Sequence, residues 1–164
     1  MILITKVKNY KKINKELLKL IEKIKNPYLA EGNSISNTDW NLPQNYTREY
    51  LPYFYEIIKS SMHDLAFKLH SKNWTIHSCW FQQYYKSNHH DWHTHQGTNF
   101  TNVYFIELPN SSLATEIYEH ENLKLKEGDL LTFPGFFYHR SPINRSNKRK
   151  TIISFNSSFN NFNK

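Results

Sequence analysis

Between residues 89 and 95 the sequence reads His89-His90-Asp91-Trp92-His93-Thr94-His95, and five of these seven side chains can bind a metal ion. Four of the chain's nine histidines fall in this one stretch. A fifth, His139, lies downstream of Gly128-Asp129-Leu130-Leu131-Thr132-Phe133-Pro134, which reads as a turn followed by an apolar strand. Neutral imidazole is the commonest protein ligand for metals. On an extended segment, residues i and i+2 point to the same side of a sheet, so His93 and His95 can share one ion. If His139 joins them from a distant strand, the ion keeps open positions for substrate, as catalytic metals require. Imidazole suits Fe, Zn, Cu or Ni, so residue type alone does not choose the metal. The competing explanation of the tract is a solvated histidine-rich loop.

The elements that must position these residues follow from periodicity. Residues 11–26 place Ile13, Leu17, Leu20, Ile21 and Ile24 at helical spacing with lysines opposite, and Pro27 closes the helix. Residues 31–46, rich in Gly, Ser, Asn and Pro, read as an irregular connection, with Trp40 plugging the core. A second helix is expected from about Thr47 to His70, with Pro52 near its start. From Trp74 to Tyr85 the pattern becomes that of a strand, rich in aromatic and β-branched residues. Further strands are expected at Phe100–Leu108, Ala114–Tyr118, Leu123–Leu125, Leu130–Phe133 and Thr151–Phe155, with a tight turn at Glu127-Gly128-Asp129. Helices first and short strands afterwards point to an α+β chain, its helices packed on an antiparallel sandwich or barrel.

Size and charge bound the rest. A length of 164 residues suits a single domain over 1–164, with 1–72 mainly helical support and 73–164 the barrel core. Cys79 is the only cysteine, which excludes a disulfide framework and suggests a reducing compartment. No apolar run approaches the roughly 20 residues of a membrane span, and Met1–Lys6 is charged too early for a signal peptide. The expectation is a cytoplasmic protein, of the cell or of a phage-infected host, with no membrane partner. The formal charge of +7 is compatible with an anionic partner such as nucleic acid. It is divided between Lys6–Lys25 and Arg140–Lys150, which fits ordinary solvated faces better.

From Trp80 to Asn156 the chain resembles the Fe(II), 2-oxoglutarate-dependent oxygenase superfamily, most of all its small members in bacteria and tailed phages. The matching pieces are Trp80-Phe81-Gln82-Gln83-Tyr84, His93-Thr94-His95-Gln96-Gly97, Thr101-Asn102-Val103-Tyr104-Phe105, Glu127-Gly128-Asp129, Phe133-Pro134 with His139, and Lys150-Thr151-Ile152-Ile153-Ser154-Phe155-Asn156. The resemblance implies a double-stranded β-helix (a jelly-roll, cupin-like barrel) with N-terminal supporting helices. It implies Fe(II) as metal, with His93 as its first and His139 as its distal ligand. It implies 2-oxoglutarate as cosubstrate, its far carboxylate on Lys150, where arginine is usual, or on Arg149 after a one-residue slip. Tyr84 matches a hydroxyl that supports the cosubstrate in relatives, and Gln82 belongs to the same piece. The implied reaction is hydroxylation of an unidentified substrate (a small molecule, peptide or nucleic acid), with decarboxylation of 2-oxoglutarate to succinate.

His95 departs from the pattern, because most of the superfamily has Asp or Glu there. A third imidazole leaves the site one negative charge poorer. Two other registers compete: His89 with Asp91 as a His-x-Asp pair, and His95 with Gly97, which leaves the acid position empty. Two other functions also remain open. One is a three-histidine, cupin-like metal protein, either another dioxygenase or a binding module, that does not use 2-oxoglutarate. The other is a basic nucleic-acid-binding protein. Trp92, Phe136, Phe137 and Tyr138 could line the mouth of the site or pack at the barrel rim.

Overall fold

The computed structural model describes residues 1–25, 28–121 and 123–162. In chain order its elements are β1 (Leu3–Lys6), α1 (Tyr10–Ile21), β2 (Tyr28–Glu31), β3 (Ser34–Thr38), α2 (Tyr50–Lys68), β4 (Ser71–Tyr84), β5 (His89–His93) and β6 (Phe100–Glu107), then β7 (Glu116–Ile117), β8 (Asp129–Pro134), β9 (His139–Ser141) and β10 (Lys150–Phe162). The strands join in one antiparallel path, β1-β8-β6-β10-β4-β3-β5-β9-β7, with β2 on the second edge of β3. Strand β3 closes the curl: Ser34 and Ile35 pair with β5, while Asn37 and Thr38 pair with β4. The result is a double-stranded β-helix backed by two helices.

Alternation along the long strands builds two cores. On one face Phe81 of β4, Tyr104 and Ile106 of β6, and Ile153, Phe155 and Phe159 of β10 pack against α1 and α2, which contribute Leu17, Ile21, Phe54, Ile58, Met62 and Leu65. Phe54 sits at the centre, 5.6 Å from the ring of Tyr104 and 5.8 Å from that of Phe155. Asn14 of α1 donates to the carbonyl of Ile106 at 2.8 Å and accepts from the Tyr104 hydroxyl at 2.6 Å, fixing the helix on β6. On the other face Tyr84, Val103, Phe105, Leu131, Phe133 and Ile152 fill the barrel interior. At the turn before β8, Gly128 has φ +80°, and a Cβ there would lie 2.3 Å from the Tyr10 side chain, so glycine meets both demands.

Several local expectations are corrected. Helix α1 ends at Ile21, earlier than periodicity suggested, although Ile24 is still buried beyond it; Pro27, the expected stop, lies outside the described residues. Residues 31–46 are not wholly irregular, because β3 lies within them and buries Ser34, Ser36 and Thr38. Its buried residues are hydroxylic, so hydropathy does not reveal the strand. With β1 and β2 it adds three strands from the portion expected to be mainly helical. Leu123–Leu125 forms no strand, and β7 is only two residues long. Trp40 does not plug the core: it is 53% exposed. Among the described residues no helix is long and apolar enough to cross a membrane.

Candidate metal centre

Strands β5 and β9 pair so that His93 lies directly opposite His139. His95 follows β5 by two residues, and its backbone N–H donates to the Gly135 carbonyl at 2.8 Å. A Cβ on Gly135 would come within 2.9 Å of the Thr98 carbonyl oxygen and 3.1 Å of that of His95, so only glycine allows this approach. The three imidazoles converge, with ring centroids 4.2 Å apart for His93 and His139, 5.2 Å for His93 and His95, and 5.0 Å for His95 and His139. One nitrogen from each lies within 4.8 Å of the other two.

Hydrogen bonds decide which nitrogen that is. His93 Nδ1 donates to the Asp91 carbonyl at 2.7 Å, His139 Nδ1 to the Phe137 carbonyl at 2.9 Å, and His95 Nδ1 to Asn156 Oδ1 at 2.6 Å. Each acceptor is an oxygen without a proton, so each Nδ1 carries the hydrogen and leaves the Nε2 lone pair free. Burial, with neighbouring imidazoles adding to it, pushes His139 down to about 3, and burial lowers His93 and His95 as well. All three are therefore neutral near pH 7, the form that ligates metal. Three uncharged nitrogen donors fit a divalent transition metal, and among the described residues these form the one such group.

The competing registers fall elsewhere. Asp91 keeps its carboxylate in solvent, 3.7 Å from His89 and away from the group, contributing only its carbonyl to His93. Gly97 supplies no donor. His90 stacks flat on His93, with centroids 3.8 Å apart and ring planes 8° apart. Its Nδ1 lies 3.5 Å from the Gln82 amide.

A narrow cleft of about 20 Å³ runs inward from the imidazoles between Gln82, Tyr84, Ser141, Ile152 and Ser154. Lys150 lies behind it, fully buried, and its Nζ donates to Ser141 Oγ at 2.8 Å with the Tyr84 ring 4.9 Å away. Among the described residues no carboxylate is within ion-pair distance of this ammonium. Burial accordingly lowers Lys150 to about 7. The Tyr84 hydroxyl, raised by burial, bonds to Ser141 and Gln82. Arg149 faces the opposite way, held by Glu107 at 2.7 Å and Glu22 at 3.1 Å, so the one-residue slip does not occur. Of the two alternatives for Trp92, Phe136, Phe137 and Tyr138, lining the mouth finds no support, since none of them lines either described cavity that touches the imidazoles. Trp92 instead packs under Arg140 and against Tyr118, while Phe136 and Tyr138 are solvent-exposed.

No protein-family model matches the sequence, and no curated protein matches it. Solved structures do match in fold. A prolyl hydroxylase from Trichoplax adhaerens, in complex with a peptide of the hypoxia-inducible factor oxygen degradation domain, is 16% identical, with 96% of this chain and 83% of that chain covered at a TM-score of 0.69. A 2OG-Fe(II) oxygenase family protein from Burkholderia pseudomallei is 10% identical, covering 98% and 85% at 0.69. HygX from Streptomyces hygroscopicus, with nickel and 2-oxoglutarate bound, is 9% identical, covering 96% and 82% at 0.64. The chain has the fold of the 2OG-Fe(II) oxygenases. On that oxygenase fold it carries a three-histidine group and a buried lysine.

Sequence reasoning gave no role to Asn156, Ser141 or His90. A signal for Asn156 was available: Lys150, Ile152, Ser154 and Asn156 alternate along one strand and must share its inner face. Ser141 and His90 had no such signal, because their positions depend on how β9 and β3 meet β5.

Proposed function

We propose that the protein is an Fe(II)- and 2-oxoglutarate-dependent oxygenase that hydroxylates a C–H bond of its substrate. The observation that carries this reading is the union, on one inner face, of three Nδ1-anchored imidazoles and a buried cation without a counter-charge. His93, His95 and His139 would hold the metal through Nε2. Lys150 would take the far carboxylate of 2-oxoglutarate, with the Tyr84 and Ser141 hydroxyls beside it. When bound, iron and 2-oxoglutarate supply the oxidising chemistry, in which dioxygen, cosubstrate and substrate become succinate, carbon dioxide and hydroxylated product.

The chain's own part is orientation and exclusion of water. Carbonyl and amide oxygens hold the imidazoles in the ligating tautomer. Val103 and Ile152 supply the apolar part of a cleft otherwise lined mainly by polar side chains, and burial from water strengthens the charge interactions within it. The cleft is only about 20 Å³, near the space of one water, so a dicarboxylic acid would have to widen it to reach Lys150. Lysine offers a point charge and no bidentate fork, and the neighbouring hydroxyls compensate for the missing donor.

His95 in the usual acid position favours one second reading, a three-histidine metal protein that does not use 2-oxoglutarate. The lysines of α1 lie on the helix face turned away from its buried residues, whereas Arg140 lines the cleft; binding to nucleic acid that falls steeply with salt and ignores chelators would favour a basic nucleic-acid-binding protein instead. The test is anaerobically purified protein supplied with Fe(II), 2-oxoglutarate and oxygen. Succinate above a His139→Ala control is expected. Metal binding with no succinate, and no response of that binding to Lys150→Ala, would favour the second reading.

A further inference from the structure

A second groove, of about 390 Å³, opens to solvent beside the imidazoles. It shares Trp80, His90, His93 and His95 with the inner cleft but contains neither Tyr84 nor Ser141. Apart from imidazoles its lining has no ionisable side chain, on a chain with 21 basic and 14 acidic residues. Its polar groups are amides and hydroxyls, among them Ser34, Thr94, Gln96 and Asn156.

Two features ask for an occupant. Trp40 stands 53% exposed, edge-on to Trp80 with ring centroids 4.5 Å apart. Its main chain is fixed, because the Trp40 backbone N–H donates to Thr38 Oγ1 at 3.2 Å and the preceding Asp39 is held by Arg48, Tyr50 and the Phe81 backbone N–H. Ser34, 8% exposed, lines the groove, and its hydroxyl has no hydrogen-bond partner among the described residues.

The class of occupant follows by exclusion. Both edges of β3 are paired within the sheet, and β5 pairs with β3 at His89 and His90 and with β9 on its other edge, so little free edge is left for an extended peptide to add as a strand. A nucleic acid would need cations for its phosphates, and the groove has none. A sugar ring combines an apolar C–H face, which packs on an indole, with hydroxyls around its edge. We propose that this groove binds an uncharged carbohydrate ring, stacked on Trp40 and hydrogen-bonded to Ser34 and its neighbours, as the substrate class. Only the oxidation of that ring rests on the oxygenase reading; its binding does not.

The test is binding to the full chain, metal-free and Zn(II)-loaded, followed by tryptophan fluorescence and saturation-transfer NMR. The probes are methyl glucoside, methyl galactoside, N-acetylglucosamine and maltose, set against glucuronate, glucosamine, N-acetylproline methylamide and adenosine. At least one neutral sugar is expected to bind more tightly than every charged, prolyl or nucleoside probe. Trp40→Ala should weaken it about tenfold, Trp40→Phe and Ser34→Ala by less, and Trp92→Ala not at all. No binding by any neutral sugar, preference for a charged, prolyl or nucleoside probe, or indifference to Trp40→Ala in a folded variant overturns the proposal. His139→Ala separates the two readings: it should abolish metal binding and leave sugar binding intact. Sugar binding without succinate would thus fault the oxygenase reading alone, whereas succinate without sugar binding would fault this inference alone.

Discussion

The two faces of β4, β6 and β10 do opposite work with the same backbone. Toward the helices, Phe81, Tyr104, Ile153 and Phe155 are fully buried in close packing. On the opposite face Gln82, Tyr84, Thr101, Lys150 and Ser154 are buried as well, yet polar. The inner layer holds Lys150, which among the described residues has no carboxylate within ion-pair distance, so that burial lowers it to about 7. The apolar layer supplies the rigidity, and the inner layer gathers the polar side chains.

Substitutions on the two faces should therefore separate stability from ligand binding. Phe155→Ala empties a position beneath α2 and should cost about 3–5 kcal/mol of stability, read from urea unfolding. His139→Ala, on the other face, should leave the unfolding curve nearly unchanged. Its Zn(II) or Co(II) affinity should fall by more than about a hundredfold, measured by calorimetry. A His139→Ala protein as unstable as Phe155→Ala would erase the distinction.

Asn156→Leu keeps the bulk but removes the acceptor for His95 Nδ1, and should weaken metal about 10–100-fold. Asn156→Asp should restore or tighten binding, because a carboxylate holds the same proton and adds the charge the ligand set lacks. If the packing of Asn156 were what mattered, the Leu variant would bind as wild type does.

The smallest expected effect, taken per pH unit, is a pH dependence at Lys150. Burial lowers it to about 7, so between there and the ordinary lysine value the folded chain binds fewer protons than the unfolded one. Stability contributed by this residue then rises with pH across that window. Binding of 2-oxoglutarate needs the ammonium, so its affinity should fall by up to about tenfold per unit above pH 7. Unfolding and calorimetry from pH 6 to 9 should show the opposed trends, and Lys150→Met should flatten both.

Much of this was legible in the chain. Apolar periodicity located both helices and the long strands, and i, i+2 spacing paired His93 with His95 before any fold was known. What stayed hidden depended on tertiary pairing. Strand β3 buries serines and a threonine, so hydropathy reads it as a loop. Asp91 looks like a ligand in sequence, yet pairing of β5 with β3 and β9 turns its side chain to solvent. Trp40 reads as core by residue type alone, and only the course of the chain after β3 exposes it. Lys150 and Arg149 differ by one position, and strand register decides between them, since a slip of one exchanges the two faces.

The most direct test is a crystal structure of the chain loaded with Fe(II) under anaerobic conditions, or with Zn(II) in its place. The expected result is one ion bound by Nε2 of His93, His95 and His139 at about 2.0–2.2 Å, each Nδ1 still on its oxygen acceptor. An ion held by His89 and Asp91, or one that leaves His95 unbound, would contradict the three-imidazole centre.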